Sequence, residues 1–362
     1  MFTTVLSSLT FRYICLVLAF CFCSFTHANT LNQAIVLQYH HISNITPAST
    51  SVSPVKFIEH LNLINDMGFQ VLPLTDVIKS INNSTQPTRK TLAISFDDGY
   101  LSIYQNAFPE LKKRGLPFTI FISPNAIDNQ HGNSLNWQQL KEMIEHGATI
   151  ANHSLNHGHL LNLNKHETMT DWKNRIINNI ESAQNRLVEK LAINHKLFAY
   201  PYGEFNQELI NILKELNYTA FSQQSGPISS CSNLQALPRF SASGQYSELE
   251  TLKIKIDSLA FDISEESPIS QVHNLGEKAP LLELTIGAED INKDQLQCFY
   301  LGERINTEVT KIVNYLIIKA TSDTPLEEGR SRYNCTAPSL SQPSYYWYSM
   351  PFVSLKRTGP LH

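Results

Sequence analysis

The chain of 362 residues has little excess charge: 28 basic residues against 32 acidic ones leave a net charge of −4. That balance excludes gripping a polyanion through bulk charge, and no basic stripe suggests nucleic acid. Long apolar runs are also missing. The longest, Tyr13 to Phe25, is too short for a comfortable membrane span. No internal repeat or low-complexity tract interrupts the chain, and 42 % apolar residues supply ample core material. Cysteine is scarce: six in all, with Cys15, Cys21 and Cys23 in the first 28 residues.

Those first 28 residues read as a signal peptide. Arg12 is their only charge, the apolar run follows, and Thr26-His27-Ala28 resembles a small-residue cleavage site. An uncleaved anchor is the alternative. The bulky Phe20 and Phe22 ahead of Cys21 and Cys23 disfavour a lipoprotein. Export to the periplasm or beyond, with no integral membrane span after cleavage, is the expectation. Cys231, Cys298 and Cys335 would remain, enough for one bridge and one free thiol. Cys298–Cys335 is the favoured pair because both lie in the C-terminal region.

From Ala34 to Phe240, apolar runs alternate with helical patterns. Strands are expected at Ala34 to Tyr39, Thr91 to Phe96, Phe118 to Ile122, Ala148 to Ala151, Leu197 to Tyr200, Tyr218 to Phe221 and Ala236 to Phe240. Helices are expected from Pro54 after a Ser cap, and at Ile103 to Lys113, Trp137 to His146, Asp171 to Leu191 and Gln207 to Leu216. This alternation predicts a parallel sheet covered by helices, as a barrel or an open doubly wound sheet. Near Ser247 the pattern changes. Runs at Leu252 to Phe261, Leu281 to Ile286, Cys298 to Leu301, Val313 to Ala320 and Tyr345 to Phe352 read as strands of a β-sandwich. The expected division is a signal peptide over 1–28, an α/β domain over 29–246 and an all-β sandwich over 247–362.

Two short motifs carry chemistry. Ser95-Phe96-Asp97-Asp98-Gly99 ends an apolar strand with paired carboxylates, at the sheet edge where parallel α/β folds place their sites. Alone, Asp-Asp-Gly is also a common turn. His153-Ser154-Leu155-Asn156-His157 sets two imidazoles four residues apart, able to converge on one ion if the segment is helical or turn-like. His159 competes as a ligand, and Asn152 and Ser154 are candidates to orient the rings. One Asp with two His suits Zn²⁺, with Co²⁺, Ni²⁺ or Fe²⁺ as alternatives. Three protein ligands leave a position for water, which marks a catalytic site.

With Phe198-Ala199-Tyr200-Pro201-Tyr202-Gly203, these motifs resemble the NodB-like polysaccharide deacetylases, carbohydrate esterase family 4, over roughly residues 33 to 245. The resemblance implies a distorted (β/α) barrel of about seven strands. It implies Asp97 as catalytic base, with Asp98, His153 and His157 as metal ligands. It further implies an oxyanion held by the metal and the backbone N–H of Tyr202. The family's late Leu-x-His acid is missing after Gly203. Leu37-Gln38-Tyr39-His40-His41-Ile42 instead resembles the circularly permuted subgroup that includes exported poly-β-1,6-N-acetylglucosamine deacetylases. There a strand-end His supplies the acid, here His40, with His41 as rival. Ala199 stands where the family commonly has an Arg that supports the base. Arg239 could replace it by folding near Asp97, or could form a surface salt bridge.

The implied activity is metal-dependent N-deacetylation of an extracytoplasmic N-acetylglucosamine polymer. The alternatives are an O-acetyl glycan esterase and a non-catalytic carbohydrate-binding protein with a relict barrel. Tyr345-Tyr346-Trp347-Tyr348 could stack on sugar rings, although core packing plus an edge strand explains alternating aromatics as well.

Overall fold

The run Thr91–Phe96 is buried at every position, as a strand covered on both faces must be. In the computed structural model, which describes residues 32–82, 90–131, 133–267 and 270–356, this strand lies near the middle of a curled sheet. Gln33–Tyr39, Thr91–Phe96, Phe118–Ile122, Ala148–Asn152, Leu197–Ala199 and Thr219–Phe221 lie side by side and parallel in that order. Ile228–Ser229 adds a seventh strand, antiparallel to Gln33–Tyr39. The segment after it runs back between the two sides. Leu237 bridges Phe221, and Phe240–Ser241 pairs with Leu37 and Gln38. The result is a distorted barrel with helices outside. The expected signal peptide lies outside the described residues. Among the described residues, no helix is long and apolar enough to cross a membrane.

Local chemistry explains most element ends. The helix Pro54–Asp66 starts where Ser53 Oγ accepts the Lys56 N–H at 3.1 Å. Met169–Leu191 begins in a reciprocal cap between Thr168 and Asp171. The Ile103 to Arg114 helix opens with a π-helical turn over Ile103–Ala107 and stops at Gly115, in the left-handed region. Two expectations fail locally. Ala236 to Phe240 is strand only at Phe240–Ser241, with one bridge at Leu237. Leu249–Ile256 is a helix, although Lys-Ile-Lys-Ile alternates like a strand. Leu252 and Ile256 are one helical turn apart, and both are buried in the barrel's own core. That burial decides between the two periods.

The C-terminal region is a pair of sheets. One contains Leu259–Ala260, Tyr345–Leu355, Gly329–Pro338, Gln297–Tyr300 and Glu303–Arg304 in that order, with Val272–Asn274 also on Tyr345–Leu355. The other runs Ile263–Glu266, Leu282–Gly287, Tyr315–Thr321, Asn306–Ile312. Buried and half-exposed residues alternate along Leu282–Gly287, as expected for a strand with one wet face. Cys298 and Cys335 face each other across neighbouring strands and are disulfide-bonded, while Cys231 is free and exposed. Tyr345–Leu355 is an interior strand rather than an edge. Tyr346 stacks on Phe261, and Trp347 meets Phe240 of the barrel edge-on, which makes these rings packing groups.

Candidate active site

The parallel strands all end on one side of the barrel, and the motif residues follow those ends. Phe96 leads directly into Asp97, Asn152 into His153, and Tyr39 into His40. Asp98 takes φ 69° and Gly99 φ 68°. A Cβ at Gly99 would lie 2.8 Å from Ile122 Cγ2, so only glycine fits this turn. The left-handed step turns the two neighbouring carboxylates in different directions.

Asp97 faces inward and is 0 % exposed, as is its partner Arg239. Arg239 Nη1 donates to Asp97 Oδ1 and Nη2 to Oδ2, each at 2.7 Å. Gln38 Nε2 donates to Oδ2 at 2.6 Å. Arg239 is itself held by Ser222 O, which accepts from Nε at 3.0 Å. Burial alone would push the Asp97 carboxyl up. Arg239 and His153 reverse this and bring it down to about 2. The carboxylate is therefore ionised at any working pH, and Oδ1, with one of its donors supplied by Arg239, keeps capacity to accept another.

Asp98 faces the imidazoles. Its Oδ1 lies 3.0 Å from His157 Nε2 and 3.3 Å from His153 Nε2. Ala199 O sits 2.7 Å from His153 Nδ1. A carbonyl only accepts, so Nδ1 carries the hydrogen and the neutral ring turns the lone pair of Nε2 toward Asp98. Asp98 Oδ1 is buried without a hydrogen-bond partner. An anionic oxygen and the Nε2 lone pair of neutral His153, turned toward one point, repel each other unless a proton or a cation lies between them. Burial opposes charging His153, yet Asp98 and Asp97 outweigh it and raise its pKa, so the local potential favours positive charge. The three ligand atoms lie within 4.8 Å of one another, the only such cluster among the described residues. The donor set fits a divalent cation.

His153 to His157 is a non-helical loop, with Ser154 at φ 65° and His157 at φ 55°. Asn152 and Ser154 shape the loop's backbone rather than touching the rings. Asn152 Oδ1 accepts the Ser154 N–H at 2.9 Å, and Ser154 Oγ accepts the His157 N–H at 3.0 Å. His159 stays out of the cluster. Its Nδ1 pairs with Glu204 Oε2 at 2.8 Å, and its ring stacks on Tyr202 at 3.9 Å. Tyr202, at φ 61°, also meets His157 edge-on at 4.7 Å. Left-handed non-glycine residues at Asp98, His157 and Tyr202 concentrate backbone strain at this rim.

His40 and His41 part company. Burial lowers the pKa of His40 while Asp97 and Asp98 pull it up, so its ring lies within the field of both carboxylates. His41 is buried with its ring stacked 3.6 Å from that of Tyr100. Two neighbours were not legible as site residues in the sequence. Gln38 holds the Asp97 carboxylate, and its only signal was a polar side chain inside an apolar strand. Tyr100 faces Asp98, whose charge, together with burial, raises its pKa.

Comparison with known proteins bears on the family and the fold. Residues 84–221 match the polysaccharide deacetylase family. Over those residues the chain is similar to the polysaccharide deacetylases, and the solved deacetylases described below share its barrel fold. A poly-beta-1,6-N-acetyl-D-glucosamine N-deacetylase of Staphylococcus aureus (strain MRSA252) is 28 % identical over 228 residues, covering 58 % of this chain and 78 % of that protein. The Bacillus subtilis (strain 168) protein YxkH is 29 % identical over 185 residues, but the match spans only 61 % of its length and 51 % of this chain. Among solved structures, the Streptococcus pyogenes deacetylase PplD in complex with acetate aligns with TM-score 0.57 and 24 % identity. That alignment covers 63 % of this chain and 99 % of PplD. IcaB from Ammonifex degensii aligns with TM-score 0.54 and 21 % identity, covering 63 % and 98 %. Both show the same barrel fold.

Proposed function

We propose that this protein is an exported, metal-dependent N-deacetylase of an N-acetylglucosamine polymer. The observation that carries the reading is the division of labour between adjacent carboxylates: Asp97 locked and ionised, Asp98 aimed with His153 and His157 at one point. Asp98, His153 and His157 hold the cation, taken as Zn²⁺ from the mixed oxygen and nitrogen donors. When bound, it supplies Lewis-acid polarisation of the acetyl carbonyl and activation of water. Asp97 takes the proton of the attacking water through Oδ1, while Arg239 and Gln38 keep the carboxylate from turning. The Tyr202 N–H donates to the developing oxyanion. His40 gives a proton to the leaving amine. An amine is a poor leaving group, so this step matters more for an amide than for an ester.

The named activity of the staphylococcal relatives supports a β-1,6-linked polymer as substrate. The N-terminal segment supports export. The C-terminal β region expected over 247–362 is assigned to the two sheets that begin at Leu259, since the helix before them packs in the barrel core. The test is acetate release from N-acetylglucosamine oligomers by zinc-loaded protein, beside O-acetylated xylan. Release from the N-acetyl oligomers that stops on chelation and returns with zinc is expected. Release from the xylan alone would replace this reading by an O-acetyl esterase. Glycan binding with no release from either would replace it by a binding protein.

A further inference from the structure

The strand Gly329–Pro338 buries Tyr333, Cys335 and Ala337 in the sandwich core. Strand alternation therefore turns Arg330 and Arg332 to the opposite face. There Arg332 Nη2 reaches Tyr246 Oη at 3.3 Å. Arg330 reaches the active-site turn: its Nη1 donates to Tyr202 O at 2.5 Å. The same nitrogen lies 3.5 Å from Gln223 Oε1, and the guanidinium sits 5.8 Å from the Tyr202 ring centre.

The turn that receives this contact is strained and crowded. Tyr202 holds φ 61° without being glycine. A Cβ on Gly203 would lie 2.7 Å from the Gln223 side chain, so the turn is pressed against that neighbour. Ser222 Oγ donates to Gly203 O at 2.8 Å and ties one side. Arg330 ties the adjacent carbonyl from outside the barrel. The ring of the same tyrosine packs on His157, one of the residues assigned to the cation.

We infer that Arg330 is a positioning residue: it reaches from the sandwich to hold the Tyr202 turn, and with it the oxyanion-binding N–H, in its working geometry. Its catalytic consequence rests on the deacetylase reading, whereas its hold on the turn does not. Arg330 is exposed, so its removal leaves no buried cavity and the variant should fold.

The experiment uses the full-length protein and two readouts. Arg330→Ala should speed hydrogen exchange at the Gly203 and Glu204 amides, which bond to Tyr200 O and Pro201 O. It should lower kcat for N-acetylglucosamine oligomers about tenfold, below the 10²–10³ lost when an oxyanion donor is deleted. KM and zinc content should stay unchanged, and added guanidinium ion should restore part of kcat. Arg332→Ala, on the same face but bonded elsewhere, should keep wild-type kcat. Unchanged exchange at the turn overturns the inference whatever the activity. A raised KM with unchanged kcat also overturns it, because Arg330 would then be a glycan contact. If wild-type protein releases no acetate, the deacetylase reading fails alone, and the exchange comparison still decides whether Arg330 holds the turn.

Discussion

The barrel and the sandwich both bury ionisable or reactive side chains, but to opposite ends. At the barrel's open end the buried groups are polar or charged and mutually dependent: Asp97 accepts hydrogen bonds from Arg239 and Gln38 and lies in the field of His153. The sandwich core is built mainly of apolar side chains and phenols, with buried serines such as Ser322 and Ser354, and its covalent tie is the Cys298–Cys335 disulfide. Charge buried in the first region costs stability and is kept where chemistry needs it. Cross-linking in the second adds stability and leaves its core groups unreactive. The lesson is that damage to the barrel's polar chain should appear in turnover first, and damage to the sandwich core in stability alone.

The sharpest test of that contrast is Asp97→Asn. The amide keeps the shape but cannot take a proton, so kcat should fall about 10²–10⁴-fold. Zinc content should persist, because Asp98, His153 and His157 remain. Wild-type kcat in this variant would remove Asp97 as base.

Arg239→Ala comes next and should damage both properties. It leaves a buried carboxylate unpaired, a change that costs about 3–5 kcal/mol, read from denaturant unfolding. Turnover should fall as Asp97 loses its aim. A variant of normal stability and normal turnover would dissolve the distinction between the two regions.

Paired Cys298→Ser and Cys335→Ser substitutions probe the other side. The bridge closes a separation of 37 residues, and loop-closure entropy for that length is worth about 3–4 kcal/mol. The loss should appear in unfolding of the sandwich, while acetate release by folded protein stays near wild type. A large fall in kcat without unfolding would show that the sandwich core, and not Arg330 alone, shapes the catalytic rim.

The last effect, confined to stability, is expected at the junction. Lys255 is buried under the Tyr246 ring, with its Nζ donating to Ser241 O. Burial, with the Arg332 charge, lowers its pKa from 10.5 to about 7. Between those values the unfolded chain holds a proton that the folded chain has released. Stability therefore rises as pH climbs from about 7 toward 10.5. Melting temperature should rise by about 2–4 °C per kcal/mol across that window. Lys255→Met should remove this part of the slope. An identical slope in the variant would show that Lys255 keeps its charge when folded.

Much of the site was legible because its chemistry sits in short, ordered motifs. Asp97-Asp98-Gly99 and His153 with His157 announce a carboxylate pair and two converging imidazoles. His40 enters through the family resemblance as the expected acid, and its ring lies in the field of both carboxylates. Gln38 was not legible, because a glutamine in a strand shows its purpose only when the partner arrives from 59 residues away. The Leu249–Ile256 helix was misread because a short apolar run with alternating lysines satisfies both periods. Tyr345 to Tyr348 fits either a sugar platform or core packing by sequence, and the partners of Tyr346 and Trp347 are those of packing groups.

By itself the sequence determined the alternation of strands and helices, the strand ends that carry the reactive groups, and the donor types available for a cation. These follow from local periodicity and residue chemistry, which act over a few positions. Only the tertiary structure decided that Arg239 clamps Asp97, that Ala199 sets the tautomer of His153, and that Arg330 crosses from the sandwich to the Tyr202 turn. Each of these contacts joins residues 46 to 142 positions apart. No local pattern encodes such pairs, because they form only when the chain has closed its barrel and docked its sandwich.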